Sequence, residues 1–285
     1  MPAIPILRAE RRVPDLLQID AAAVAEWLVQ FLRYECTHRR RITKAILGLS
    51  GGVDSAVSTA LAVRAFGAEN VHVFRMPYKI SSSESLDHAQ LVIDQLGIPA
   101  RTIDITPMVD GYLDQEEHPP SPTRIGNVCA RCRINILFDQ SAKLGGLPIG
   151  TGNKTERLFG YYTWHADDAP PINPLGDLYK TQVWELARYL RVPEVIIDKP
   201  ATADLVKGQT DEGDFGITYL KADRILAFLT QGYSQEKLVE MGFDAGEVAL
   251  VFKRVEGTHW KRRGPTVAML SDTAIGEFYL RPVDY

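Results

Sequence analysis

The segment Gly48–Ser55, with the sequence GLSGGVDS, combines residue types that bind phosphate groups. Two adjacent glycines allow a sharp turn that exposes consecutive N–H groups, and a helix that begins there adds the positive end of its dipole. Ser50 and Ser55 supply hydroxyl donors. The segment matches neither GxxxxGK[ST] nor GxGxxG. It therefore predicts a different kind of pyrophosphate-binding turn, and the ordinary alternative is a glycine turn with helix-capping side chains.

Asp54 is the acidic residue of this segment. A carboxylate next to phosphate groups needs a cation between the two negative charges. Mg²⁺ meets that need because it binds carboxylate and phosphate oxygens together. Asp54 is therefore a candidate magnesium ligand.

The elements that must position this turn alternate between strands and helices. Apolar runs predict buried strands, and apolar residues at helical spacing predict amphipathic helices. Strands are predicted at 44–50, 70–76, 100–105 and 147–152, with a short extended piece at 193–198. Helices are predicted at 21–35 (capped by Asp20, with Trp27 on the apolar face), 54–66 (ended by Gly67), 81–96, 123–144 and 176–190. This alternation predicts an α/β fold: a doubly wound parallel sheet with helices on both faces, in a single domain over residues 1–285.

Composition excludes several classes of protein. The chain has 285 residues, 24% of them charged and 45% hydrophobic, which suits a globular protein. Its net charge is −4, so we expect no nucleic-acid partner, because such proteins are usually basic. No apolar run reaches the roughly 18 residues of a membrane span, and the N-terminus lacks a signal-peptide pattern. With Cys36, Cys129 and Cys132 suited to a reducing compartment, we expect a cytoplasmic protein without membrane contact.

The motif SGGVDS within the turn matches the pyrophosphate loop of the N-type ATP pyrophosphatases. That superfamily includes NAD synthetase, GMP synthetase, argininosuccinate and asparagine synthetases, and tRNA thiolases. The resemblance implies cleavage of ATP to AMP and pyrophosphate, and it leaves the acceptor open.

Four further motifs resemble the ammonia-dependent NAD synthetases. They are GNVCARCR at 126–133, GTGNKTE at 150–156, NPLGDLYKTQVWELARYL at 173–190 and PATADL at 200–205. The resemblance runs from about residue 19 to the C-terminus. It implies an adenine nucleotide alpha-hydrolase-like fold, and a homodimer that binds deamido-NAD partly across its interface. Many family members carry an N-terminal amidase domain that makes ammonia from glutamine. This chain is expected to lack that domain and to use free ammonia or ammonia from a separate glutaminase subunit.

The activity implied by the resemblance is the ATP-dependent amidation of deamido-NAD by ammonia. The nicotinate carboxylate attacks the α-phosphate of ATP, and the resulting adenylate then reacts with ammonia. The small-molecule partners are therefore ATP, deamido-NAD and ammonia, and the implied cofactor is Mg²⁺.

The resemblance also implies roles for single residues. The ATP-binding residues are Gly48, Leu49, Ser50, Gly51, Gly52, Val53, Asp54, Ser55, Arg75, Thr151, Lys180 and Thr202. Asp54 and Glu156 would hold Mg²⁺. Asp167, near the attacking ammonia, and Lys180, reaching the ATP phosphates, are the catalytic candidates. The deamido-NAD-binding residues are Asn127, Arg131, Trp164, His259 and Lys261.

Ordinary structural roles compete with several of these assignments. Glu156 has the alternative role of a solvated glutamate at a helix start, and Lys180 that of a solvated helix lysine. The alternative role of Arg75 is a surface salt bridge, and that of Thr202 is a helix cap. Asp167 is followed by a second aspartate, Asp168, and two adjacent acids are also typical of a solvated loop. The alternative role of Arg131 is an interface salt bridge. The alternative role of His259 and Lys261 is to complement a helix dipole.

The sequence departs from the family at two positions near the dinucleotide. The family usually has Lys where this chain has Trp164, and Asp where it has Pro171. Trp164 or Tyr162 is a candidate to stack on the nicotinate ring, with plain packing as the alternative. The acidic segment 200–216 is longer than ordinary connections, so it is predicted to be an active-site lid.

Three other functions remain open at this point. The pair Cys129-x-x-Cys132 suggests an iron–sulfur or persulfide tRNA thiolase, although two cysteines supply too few ligands for a cluster. A catalytically silent nucleotide-binding module is the second alternative. The third is an amidotransferase acting on a different acid, such as xanthosine monophosphate.

Overall fold

The candidate site residues lie around a four-stranded parallel sheet with the strand order β3-β2-β1-β4. The computed structural model describes residues 15–116, 120–202, 209–264 and 266–270. The strands are β1 (Ala45–Gly48), β2 (Val71–Arg75), β3 (Ala100–Thr102) and β4 (Leu147–Pro148). In the register, Ala45 is opposite Val71 of β2 and Leu147 of β4. The prediction of a parallel α/β sheet is therefore confirmed.

Twelve α-helices are present in the described residues, together with one π-helical segment (Arg33–Arg39) and two 3-10 segments (Ala68–Asn70 and His259–Arg262). The first six are α1 (Ala21–Leu32), α2 (Val53–Phe66), α3 (Ser83–Leu96), α4 (Thr106–Leu113), α5 (Pro122–Leu144) and α6 (Lys154–Phe159). The last six are α7 (Lys180–Tyr189), α8 (Glu194–Ile197), α9 (Asp211–Phe215), α10 (Tyr219–Leu229), α11 (Gln235–Glu240) and α12 (Ala245–Gly257). None of the helices described is long and apolar enough to cross a membrane.

Helices cover both faces of the sheet. Successive residues of a strand point to opposite faces, so neighbouring residues of β1 pack against different helices. Leu47 of β1 packs in a cluster with residues of α1, α2 and α7. Its neighbour Ile46 packs on the other side with residues of α4 and α5. A third hydrophobic cluster, formed mostly by the C-terminal half of the chain, joins α6, α7, α9, α10, α11 and α12. The cavity described below lies where these clusters meet.

Two predicted caps are confirmed. The Asp20 carboxylate accepts hydrogen bonds from the N–H groups of Ala22 and Ala23, both at 3.0 Å, which are donors left unpaired at a helix start. Gly67 ends α2 with a positive φ of 85°. Trp27, predicted on the apolar face of α1, is instead 67% exposed, because α1 turns Leu28 and Leu32 toward the sheet.

Some predicted elements differ in the structure. The run 193–198 was expected to be extended, but residues Glu194–Ile197 form a helical turn after Pro193. A short apolar run cannot be assigned to strand or helix by periodicity alone. Helices α4 and α6 were not predicted. Within the expected lid 200–216, Asp211–Phe215 is helical, and residues 203–208 lie outside the described part of the chain.

Candidate active site

The glycine-rich turn joins the carboxyl end of β1 to the N-terminus of α2, as predicted. Gly51 has a φ of +84°, and a Cβ atom built on it would lie 2.1 Å from the carbonyl oxygen of Ser85. Glycine is therefore required here by conformation and by space. The Ser50 and Ser55 hydroxyls lie 3.1 Å apart, and Ser50 Oγ accepts the Gly52 N–H at 3.3 Å. The turn has the strand–turn–helix form that an anion site needs.

A cavity of about 400 Å³ opens above this turn. Most of the residues predicted to bind ATP, Mg²⁺ or ammonia line it, although they come from several parts of the chain. They are Gly48, Leu49, Ser50, Gly52, Val53, Asp54, Ser55, Arg75, Thr151, Glu156, Asp167, Lys180 and Thr202. The carboxyl ends of parallel strands converge at one edge of the sheet, and ligands of open α/β folds bind at that edge.

Lys180 lies between the two candidate magnesium ligands. Its side chain is 2% exposed, and its ammonium lies 2.5 Å from Asp54 Oδ2 and 3.4 Å from Glu156 Oε1. It is therefore a buried residue of the site and not a solvated surface lysine. The ring of Tyr219 lies 5.3 Å from the same ammonium and closes off its far side.

The charges of this group depend on one another. Burial alone lowers the pKa of the Lys180 ammonium, but the carboxylates of Asp54 and Glu156 raise it well above its usual value, so the lysine is cationic. Burial and the neighbouring Asp54 charge raise the pKa of Glu156 to about 8. The site therefore holds a cationic Lys180, and it favours the protonated form of Glu156.

Asn153 positions both carboxylates, and sequence reasoning did not assign it a role. It is fully buried, and its Nδ2 donates to Asp54 Oδ1 at 2.9 Å. Its side chain also caps α6 in a capping box, in which Glu156 is the reciprocal partner. Glu156 is therefore a helix-start residue that also lines the cavity, and its role as a magnesium ligand stays a prediction. The pattern N-x-x-E within GTGNKTE carried the signal for this cap.

Arg75, the last residue of β2, donates from Nη1 to Gln90 Oε1 at 2.6 Å. Its Nε is buried without a hydrogen-bond partner among the described residues, so it is not a plain surface salt bridge. Asp167 faces the cavity and accepts the N–H of Thr163 at 2.7 Å, which fixes the direction of its carboxylate. Asp168 lines the cavity as well.

The residues predicted to bind deamido-NAD do not line this cavity. Asn127 and Arg131 instead line a second one, of about 480 Å³, on the outer surface of α4 and α5. Arg131 Nη2 donates to the carbonyl oxygen of Trp164 at 3.1 Å. Trp164 stacks on His165 with their ring centroids 4.1 Å apart.

The remaining two residues predicted to bind deamido-NAD, His259 and Lys261, lie near the C-terminal end of the described residues. Lys261 donates to the carbonyl oxygens of Gly160 and Tyr162, and burial lowers the pKa of its ammonium. His259 is hydrogen-bonded to the carbonyl oxygen of Glu256 at 2.7 Å.

Four charged residues of the cavity carried no prediction: Arg133, Arg157, Lys199 and Asp211. Arg133 lines it, two positions after the predicted Arg131, and donates from Nε to the carbonyl oxygen of Met76 at 3.1 Å. Asp211 of α9 also lines it, and its carboxylate accepts the hydroxyl of Tyr219 at 2.8 Å. The helical phase of α5 decides which arginine faces the cavity, and this phase is not visible in a motif.

The donor set suits Mg²⁺ that is bound together with phosphate groups. Asp54 and Glu156 meet around one ammonium, so a cation is already accommodated between their oxygens. Mg²⁺ bound with a nucleotide usually takes one or two protein carboxylates. In the described residues, no three His, Cys, Asp or Glu side chains are grouped to hold a metal ion by themselves.

The cysteine pair of the thiolase alternative is not arranged for reactivity. Cys129 is buried in α5, Cys132 is half-buried, and both are free thiols. Burial raises the pKa of each thiol, which disfavours the reactive thiolate.

The chain is similar to one family of enzymes in both sequence and fold. The family model described as NAD synthase matches residues 24–265. The NH(3)-dependent NAD(+) synthetase of Trichlorobacter lovleyi is 45% identical over 260 residues, 91% of this chain and 94% of that protein.

Solved structures also match, and two synthetases are among them. NMN synthetase from Francisella tularensis has a TM-score of 0.78 and 29% identity, covering 88% of this chain and 99% of that one. NH3-dependent NAD synthetase from Campylobacter jejuni subsp. jejuni, in complex with the nitrate ion, has a TM-score of 0.75 and 31% identity. That match covers 88% of this chain and 100% of the Campylobacter chain.

Proposed function

Because the chain belongs to the NAD synthase family, we propose that it catalyses the ATP-dependent amidation of deamido-NAD by ammonia. The products are NAD, AMP and pyrophosphate. One observation carries the proposal for this chain: the glycine-rich turn, Asp54, Glu156 and Lys180 converge on one cavity at the carboxyl ends of β1 and β4. That arrangement suits the binding of a nucleoside triphosphate.

In the first step, a carboxylate oxygen of the nicotinate attacks the α-phosphorus of ATP, and the bond to the β-phosphate oxygen breaks. The N–H groups of the turn and the hydroxyls of Ser50 and Ser55 would hold the departing pyrophosphate. Lys180 would donate to phosphate oxygens as negative charge moves onto the leaving group. These contacts supply the charge neutralisation that two reacting anions require.

Mg²⁺ held by Asp54 and Glu156 together with phosphate oxygens would neutralise further charge on the triphosphate. Both residues line the cavity next to the turn. The Lys180 ammonium would then be released from the carboxylates to contact phosphate oxygens.

In the second step, ammonia attacks the activated carbonyl carbon, and the bond to the AMP oxygen breaks. The attacking nitrogen must lose a proton, and Asp167 would accept it. Its carboxylate faces the cavity and is oriented by the Thr163 N–H. The expelled AMP would leave from the adenosine side, near Arg75 and Thr151.

We further propose that the protein works as a homodimer through the outer face of α4 and α5. Asn127 and Arg131 line the second cavity on that face, so a partner there would complete a binding site for the dinucleotide. The three free cysteines suit action in the cytoplasm. Ammonia would be taken up directly or received from a separate glutaminase subunit.

The test is an assay of pyrophosphate release from ATP and Mg²⁺ with deamido-NAD and ammonium chloride, followed by chromatography for NAD. Parallel arms replace ammonium by glutamine, and deamido-NAD by nicotinic acid mononucleotide, because one structural neighbour is an NMN synthetase. We expect pyrophosphate and NAD in equal amounts, and only when all components are present. Turnover of the mononucleotide alone would make the acceptor assignment wrong and leave the ATP chemistry intact.

A further inference from the structure

Asp223 is a fully buried carboxylate in α10 that does not line the cavity. No sequence motif pointed to it. Buried carboxylates are rare unless they are paired or hydrogen-bonded, so its partners should reveal its role.

The two oxygens of Asp223 connect the first turns of α6 and α7. Oδ1 accepts the hydroxyl of Thr155 at 2.6 Å. Oδ2 accepts both the backbone N–H and the hydroxyl of Thr181 at 2.9 Å. The Thr155 hydroxyl oxygen in turn accepts the backbone N–H of Lys180 at 3.0 Å. One carboxylate thus satisfies donors at two helix N-termini, where unpaired N–H groups and the helix dipole favour a negative charge.

These two turns carry Glu156 and Lys180, whose side chains meet in the site. Glu156 follows Thr155 in the chain, and Lys180 precedes Thr181. The Lys180 ammonium lies 3.4 Å from Glu156 Oε1, so a small shift of either helix start would change this distance. Tyr219, one helical turn before Asp223, places its ring 5.3 Å from the same ammonium. Helix α10 therefore supports the site at two points.

We propose that Asp223 is a positioning residue for ATP activation, which holds Lys180 and Glu156 in register by joining the N-termini of α6 and α7. The role rests on the proposed use of ATP. A carboxylate suits this position because donors approach both of its oxygens. An asparagine would accept at one oxygen and present an N–H₂ group to a donor on the other side.

The test compares Asp223→Asn with the wild-type protein by calorimetric titration. The probes are Mg²⁺ with α,β-methylene-ATP, and deamido-NAD in a separate titration. We expect the Kd of the ATP analogue to rise about tenfold, because a buried hydrogen-bond network is broken. The Kd of deamido-NAD should change by less than about twofold, since its predicted residues lie elsewhere.

Thr155 gives a matched pair that does not depend on the folding of Asp223→Asn. Thr155→Val removes the hydroxyl at almost constant volume and should reproduce the ATP-specific loss, whereas Thr155→Ser keeps the hydroxyl and should restore binding. Asp244→Ala is the control for a lost helix cap, because Asp244 accepts the Glu247 N–H at 2.9 Å at the start of α12. It should lower the melting temperature without changing either Kd.

The positioning role would be overturned if Asp223→Asn and Thr155→Val both lowered the melting temperature but left the Kd of the ATP analogue unchanged. The binding measurements do not require turnover. If the wild-type protein binds the ATP analogue but makes no NAD, the proposed acceptor is wrong. The positioning role is then still decided by the Kd of the ATP analogue in the variants.

Discussion

The Lys180 ammonium lies between two carboxyl groups, those of Asp54 and Glu156. A buried cation in this position can stabilise the nucleotide-free protein and later contact phosphate oxygens. The same residue therefore affects both folding and catalysis, and the two effects can be separated by experiment.

Lys180→Met is expected to lower kcat for NAD formation by about a hundredfold or more, because a charge aimed at the phosphates is lost. The free energy of unfolding without metal should fall by about 3–5 kcal/mol, since Asp54 and Glu156 lose the buried ammonium that lies between them. Mg²⁺ should then raise the melting temperature more in the variant than in the wild type. The control is Lys221→Met, which breaks an exposed pair with Glu247 and should cost about 0–1 kcal/mol. Equal effects of both variants would contradict the role of Lys180.

Binding of Mg²⁺ with ATP is expected to release a proton. The pKa of Glu156 is raised to about 8 in the metal-free site by burial and by Asp54, so at pH 7 the group is mostly protonated. A metal ligand must be ionised, so the apparent Kd of Mg²⁺ with α,β-methylene-ATP should fall as pH rises toward 8 and level off above it. Calorimetric titration at pH 7 in two buffers of different ionisation enthalpy measures the proton. Binding with no proton release at pH 7 would show that Glu156 is already ionised.

Gly51 illustrates what one turn between β1 and α2 requires of its backbone. Its φ is +84°, and α3 approaches it so closely that a Cβ atom would meet the Ser85 carbonyl oxygen at 2.1 Å. The turn is thus held in shape by a neighbouring helix as well as by its own residues.

Gly51→Ala is expected to displace the turn, lower the melting temperature and raise the KM for ATP by about tenfold or more. The control is Gly97→Ala at the end of α3, which also has a positive φ of 62° but has no atom within 4 Å of the added Cβ. That variant should show only the strain, about 1 kcal/mol in the free energy of unfolding, with an unchanged KM. Steady-state kinetics and thermal melts compare the two variants, and a matching KM in both would show that the contact with α3 is unimportant.

Considered as a whole, the molecule presents an apolar surface on the outer side of α4 and α5. Tyr112 is 49% and Phe138 43% exposed, and the second cavity lies on the same side. This surface is where the proposed homodimer would form, because contact there would bury these rings and enclose Arg131.

Phe138→Glu is expected to produce a monomer, because a charge would be buried without a partner at the interface. Sedimentation velocity measures the change, and the KM for deamido-NAD should rise more than that for ATP. Leu91→Glu is the control, since Leu91 is 44% exposed on α3, an element outside this surface. A dimer that persists in Phe138→Glu would place the interface elsewhere.

The sequence alone determined the features that depend on neighbouring residues. The glycine pair specifies the turn before α2, apolar runs specify the strands, and motif order indicates the family. The tertiary structure decided which distant residues meet. Lys180 contacts Asp54 across 126 positions, and Asp223 contacts Thr155 across 68. It also decided that Arg133 and not Arg131 faces the cavity, because that depends on how α5 packs on the sheet. Such contacts arise from packing between elements, and no local pattern encodes them.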